Sequence, residues 1–84
     1  MHPAKVQLRG FDEKEVEGML KAVDAEIVKV KDGIDLYFAD VNDARLFISK
    51  LKRLFSLKVK MSTENLGFKA RGKYLFVYSV RRER

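Results

Sequence analysis

The stretch Gly33–Lys60, GIDLYFADVNDARLFISKLKRLFSLKVK, constrains the fold more than any other part of the chain. It reads as a strand, a capped helix and a second strand. Asp40 is placed to accept from the free amides of a helix start, and Asp43 favours the positive end of the helix dipole. Ala44, Phe47, Ile48, Leu51, Leu54 and Phe55 then recur at helical spacing and predict one buried stripe over three turns. Arg45, Ser49, Lys52, Arg53 and Ser56 fall opposite, and Leu46 is the one apolar residue on that solvent side. Leu57, Val59 and Met61 alternate with Lys58, Lys60 and Ser62, the period of a half-buried strand.

The flanking segments follow the same reading. Lys5 to Arg9 alternates as a short strand, with Val6 and Leu8 on one face. Asp12 caps a first helix running from about Glu13 to about Val23. Glu15 completes a capping box, and Phe11 and Val16 sit at hydrophobic-staple spacing. Val16, Met19, Leu20 and Val23 form its buried stripe. Glu26 to Ala39 is a hairpin. A three-residue Lys31-Asp32-Gly33 loop, with Gly33 left-handed in a bulge, pairs Val30 with Ile34, Lys29 with Asp35 and Val28 with Leu36; this register collects the apolar residues on one face. Glu64 to Lys73 is a glycine-bearing basic connection, and Tyr74 to Val80 is an aromatic, β-branched strand.

The order is therefore β-α-β-β-α-β-β. Right-handed crossovers place both helices on one face of a single sheet, predicting an α+β two-layer sandwich of ferredoxin-like type with an extra C-terminal strand. Eighty-four residues without an internal repeat or linker make one domain, 1–84. The absence of cysteine excludes disulfides and Cys-type zinc sites and fits a reducing cytoplasm. No apolar run approaches the roughly 20 residues of a membrane-spanning helix.

Charge carries the functional signal. Residues 1–43 hold six basic and ten acidic side chains, net −4, whereas residues 44–84 hold twelve and two, net +10. Such asymmetry points to an anionic partner, above all nucleic acid. Arg45, Lys50, Lys52, Arg53, Lys58 and Lys60 come from adjoining elements with no acid among them, Lys69, Arg71 and Lys73 follow on the connection, and Arg81, Arg82 and Arg84 on the tail. Groups of this kind hold phosphates with little sequence preference. The competing reading is a protein-interaction or self-association module that uses the apolar last strand as an edge or face, with Tyr74, Phe76 and Tyr78 as its contacts and Leu46 as a further one.

Catalysis finds no support. His2 is the only histidine and lies at the terminus. Asp12, Glu13, Glu15 and Glu17 suffice as cap and dipole partners, and Asp32, Asp35, Asp40 and Asp43 lie where turns and caps use carboxylates. Neither a phosphate loop nor a nucleophile motif occurs. The expectation is a non-enzyme without cofactor or metal. Arg71 to Tyr78 superficially matches an RNA-recognition strand motif but fails it at Lys73, Tyr74, Leu75 and Phe76.

With these residues in view, the chain resembles the nonsense-mediated-decay protein three family in its archaeal form. Asp32 to Phe38 (DGIDLYF), Ala44 to Phe47 (ARLF) and Lys58 to Ser62 (KVKMS) stand in the places of that family's segments. His2 to Gly10 is similar to its opening, and Gly72-Lys73-Tyr74 with Val80 and Arg81 to its closing strand. Ser56 replaces the usual glycine. The resemblance implies action at the large ribosomal subunit, in eukaryotes as a late assembly and nuclear-export adaptor, with this region corresponding to a ribosomal-protein-like central domain. The family's paired-cysteine zinc part and its translation-factor-like domains have no counterpart here, so zinc binding and export signals are not implied. The expected partner is ribosomal RNA or the large subunit.

Overall fold

The computed structural model describes residues 3–65 and 74–83. Seven elements follow in the expected order: β1 (Ala4–Arg9), α1 (Glu13–Ala22), β2 (Ala25–Val30), β3 (Gly33–Phe38), α2 (Val41–Leu54), β4 (Leu57–Asn65) and β5 (Tyr74–Arg82). They form an α+β sandwich in which one sheet has the strand order β2-β3-β1-β5-β4. The additional C-terminal strand is inserted between β1 and β4, parallel to β1 and antiparallel to β4. This insertion makes β4 and β2 the two edges.

Both helices start as their caps dictate. The Asp12 carboxylate accepts from the Lys14 amide at 3.4 Å and the Asp40 carboxylate from the Asn42 amide at 2.8 Å. Glu15, the expected partner in a capping box, pairs with Arg82. That guanidinium also stacks 4.8 Å above the Phe55 ring, and Phe55 meets Phe11 edge-on at 5.5 Å. One end of the sandwich is thus closed by aromatic and charged contacts between α1, α2 and β5.

The core lies between the helices and one face of the sheet. Ala4, Val6 and Leu8 of β1 and Ile34, Leu36 and Phe38 of β3 meet Val16 and Leu20 of α1 and Ala44, Phe47, Ile48 and Leu51 of α2. The α2 stripe is buried as predicted up to Leu51. Leu54, expected in the same stripe, is 65% exposed, whereas Phe55 beyond it packs against the core.

The β2–β3 hairpin corrects the predicted register by one residue. Val30 pairs with Gly33, Lys29 with Ile34, Val28 with Asp35 and Ile27 with Leu36, around a two-residue Lys31-Asp32 turn. Gly33 lies within the strand and is not left-handed; the positive-φ glycine among the described residues is Gly10, at φ 81°. The cause is that β2 is exposed from Glu26 to Val30, so no buried face fixes its phase. Its register is set by β3, whose inward residues align with those of β1. Lys29, turned to the helix side, pairs with Glu13 at the start of α1. As hydrogen-bond acceptor and as charge, Glu13 holds the Lys29 pKa above its ordinary 10.5.

Glycine is required at position 33 for a different reason from the one expected. A Cβ there would lie 2.0 Å from the Leu8 carbonyl oxygen and 2.9 Å from an Arg9 guanidinium nitrogen. The Gly33→Ala variant is expected to lose about 1–3 kcal/mol, the usual cost of overpacking, measured as a lowered urea midpoint at unchanged slope.

Candidate nucleic-acid interface

Alternation along the strands divides the polar chemistry. On the sheet face away from the helices, cross-strand pairing builds rows. Gly33, Arg9, Arg81 and Lys58 stand side by side in one row across β3, β1, β5 and β4. The next row is Asp35, Gln7, Ser79 and Lys60, and the next Tyr37, Lys5, Val77 and Ser62. Neighbouring strands are about 4.8 Å apart, so the first row sets three cations within about 10 Å.

Half of this face is neutralised internally. Asp35 is 6% exposed and is the buried charged residue among the described ones. Its carboxylate takes the Arg9 guanidinium at 2.9 Å and the Lys5 ammonium at 3.8 Å. Lys5 also lies 5.3 Å over the Tyr37 ring. The bare Cα of Gly33 is what lets Arg9 lie across the sheet to reach Asp35. Replacing Asp35 by Ala strands these cations and is expected to cost about 1.5–3 kcal/mol in chemical denaturation, with Asp35→Asn retaining part of the loss.

The other half is uncompensated. Among the described residues, no carboxylate pairs with Lys58, Lys60 or Arg81. They surround a shallow depression of about 500 Å³ with Ser79, whose hydroxyl donates to the Gln7 side-chain oxygen at 3.2 Å. Lys58 and Arg81 are direct cross-strand partners, an arrangement that costs folding stability.

The predicted basic residues therefore divide. Lys58 and Lys60 lie on the open sheet face, and Arg45, Lys50, Lys52 and Arg53 are exposed on α2 in the other layer. Arg45 leans toward the β4 side, its Nε donating to the Tyr78 hydroxyl at 3.3 Å. Lys52, two turns on, shares that side of the helix. Lys50 lines a groove between α1 and α2 of about 430 Å³, together with Leu46, which is 60% exposed. Lys69, Arg71 and Lys73 lie outside the described residues, as does the side chain of Tyr74.

The last strand does not have the expected surface. β5 is flanked by β1 and β4 and is no edge. Tyr78, a candidate contact residue, is 6% exposed against the helices, and Phe76 packs against the same core. The β-strand period places both on the covered face. Sequence reading put Arg81 on a basic tail beyond the last strand and missed Arg9 and Lys5. For Arg81 the signal was available: Val77, Ser79 and Arg81 continue the alternation past Val80, where the strand was expected to stop.

Asp35 and Asp40 are occupied as ion-pair partner and helix cap. No group of three potential metal-ligating side chains converges among the described residues, and none of their helices is long and apolar enough to cross a membrane. Fold and surface together define a small α+β domain, strongly basic along one sheet edge. A family model described as the NMD3 second domain matches residues 2–81, nearly the whole chain, and the chain belongs to the NMD3 family. No curated protein matches the sequence. Family membership connects the domain with the ribosome in general terms.

Proposed function

We propose that the domain is a non-enzymatic, cytoplasmic module that binds ribosomal RNA of the large subunit through phosphate contacts. The observation that carries this reading is the cross-strand cation row of Arg81 and Lys58, with Lys60 beside it and no carboxylate paired with them among the described residues. Opposed like charges weaken a sheet. Their persistence at one edge is understandable if an anion lies across them, since each neutralised phosphate releases counterions. Arg45, Lys52 and Arg53 add to the same charge field from α2.

The test is fluorescence anisotropy with labelled large-subunit RNA fragments. Affinity is expected to fall by about 10-fold or more between roughly 50 and 200 mM salt, as three or more phosphate contacts require. Affinity that does not change with salt refutes the proposal.

A further inference from the structure

The cations near β4 occupy two levels. Below the strand, Lys58 and Lys60 project from its open face. Above it, Arg45 and Lys52 lie on the flank of α2 that faces β5 and β4; Arg45 reaches Tyr78, the cross-strand partner of Met61. The helix layer covers Leu57 and Val59, which pack against the core, but stops short of Met61, which faces the same side and is 54% exposed; beyond Val59, β4 stands out as a ridge one strand thick. The two levels have similar lengths. Seven helical residues from Arg45 to Lys52 span about 10 Å, and Lys58 to Lys60 about 7 Å.

A single flexible strand can follow one line of cations, whereas two lines flanking a ridge match two phosphate backbones flanking a groove. From this we infer that the ligand is double-helical RNA, with the β4 edge set along its groove and one backbone held at each level. The wide, shallow minor groove of A-form RNA is the one open to protein, and it displays 2′-hydroxyls. Ser62 and Thr63, near the tip of the described ridge, supply hydroxyl partners for them.

This inference rests on the RNA-binding reading, and its test separates the two. The intact domain is titrated with an RNA duplex of about 16 base pairs, with one of its strands alone, and with a DNA duplex of the same sequence. Binding to the RNA duplex is expected to be at least about tenfold tighter than to either alternative. Lys58→Glu and Lys52→Glu are each expected to lower the salt slope on the duplex by about 1, and only one of them on the single strand. Both side chains are exposed, so the variants keep the fold. Equal or tighter binding of the single strand, equal binding of the DNA duplex, or duplex affinity unaffected by Lys52→Glu overturns the inference. Failure of all three nucleic acids to bind overturns the RNA-binding reading itself.

Discussion

The Lys58→Glu variant is expected to be more stable than the parent and to bind large-subunit RNA more weakly. Both effects come from one register pair. Lys58 faces Arg81 across the β4–β5 ladder, so a glutamate turns a repulsive pair into an attractive one. The gain should be about 0.2–1 kcal/mol, seen as a higher urea midpoint. In the same variant the RNA site loses one cation and gains one anion. Combined with Lys60→Glu, the charge at the edge changes by four, and affinity at low salt should fall by about a hundredfold with a salt slope smaller by about 2. A merely solvated basic face would show the stability gain without the binding loss. The opposite directions of the two changes therefore separate a binding surface from an inert one.

Phe47→Ala is expected to remove about 3–5 kcal/mol, the cost of truncating a buried aromatic. Phe47 is 2% exposed and packs against Phe38 with ring centroids 5.9 Å apart. Domains of this size have only about 5–15 kcal/mol in total, so this single change should leave the chain marginal or unfolded by circular dichroism. Leu54→Ala, one step along the predicted stripe, should stay within about 0.5 kcal/mol of the parent, as other surface substitutions do. The pair of variants measures how far the stripe of α2 is covered. A comparable loss at both positions would mean that Leu54 is buried.

The contrast between these two residues shows what the amino-acid pattern can and cannot decide. Helical phase puts Phe47 and Leu54 on one stripe, and both readings of phase are right. Burial additionally requires something opposite, and that depends on the length and position of the sheet. The same limit explains the β2–β3 hairpin. Apolar Ile27, Val28 and Val30 look like evidence for a buried face, yet all three are exposed on an edge strand. With no face of β2 buried, alternation could not choose between registers that differ by one residue. It was β1, distant in sequence, that fixed the phase of β3.

For the interface, local composition marked the right region and topology rearranged it. Lys58 and Lys60 were legible because their strand alternates cleanly. Arg81 was legible as a cation of the tail, but its place beside Lys58 was not, because that depends on β5 pairing with β4. Arg9 and Lys5 come from the acidic half of the chain and reach the open face only through pairing with β3 and β5. Tyr78 shows the converse. Aromatic content correctly identified a strong strand but could not say which of its faces the helices would cover.

The central claim is that RNA binds along the β4 edge, and resonance mapping tests it most directly. The ¹⁵N-labelled domain is titrated with a large-subunit RNA helix while backbone amide shifts are followed. The largest changes are expected at Lys58, Lys60, Ser79 and Arg81, with smaller ones at Arg45 and Lys52, and they should fade as salt is raised. Changes centred on the groove between α1 and α2, around Leu46 and Lys50, with the β4 edge undisturbed, would contradict the claim.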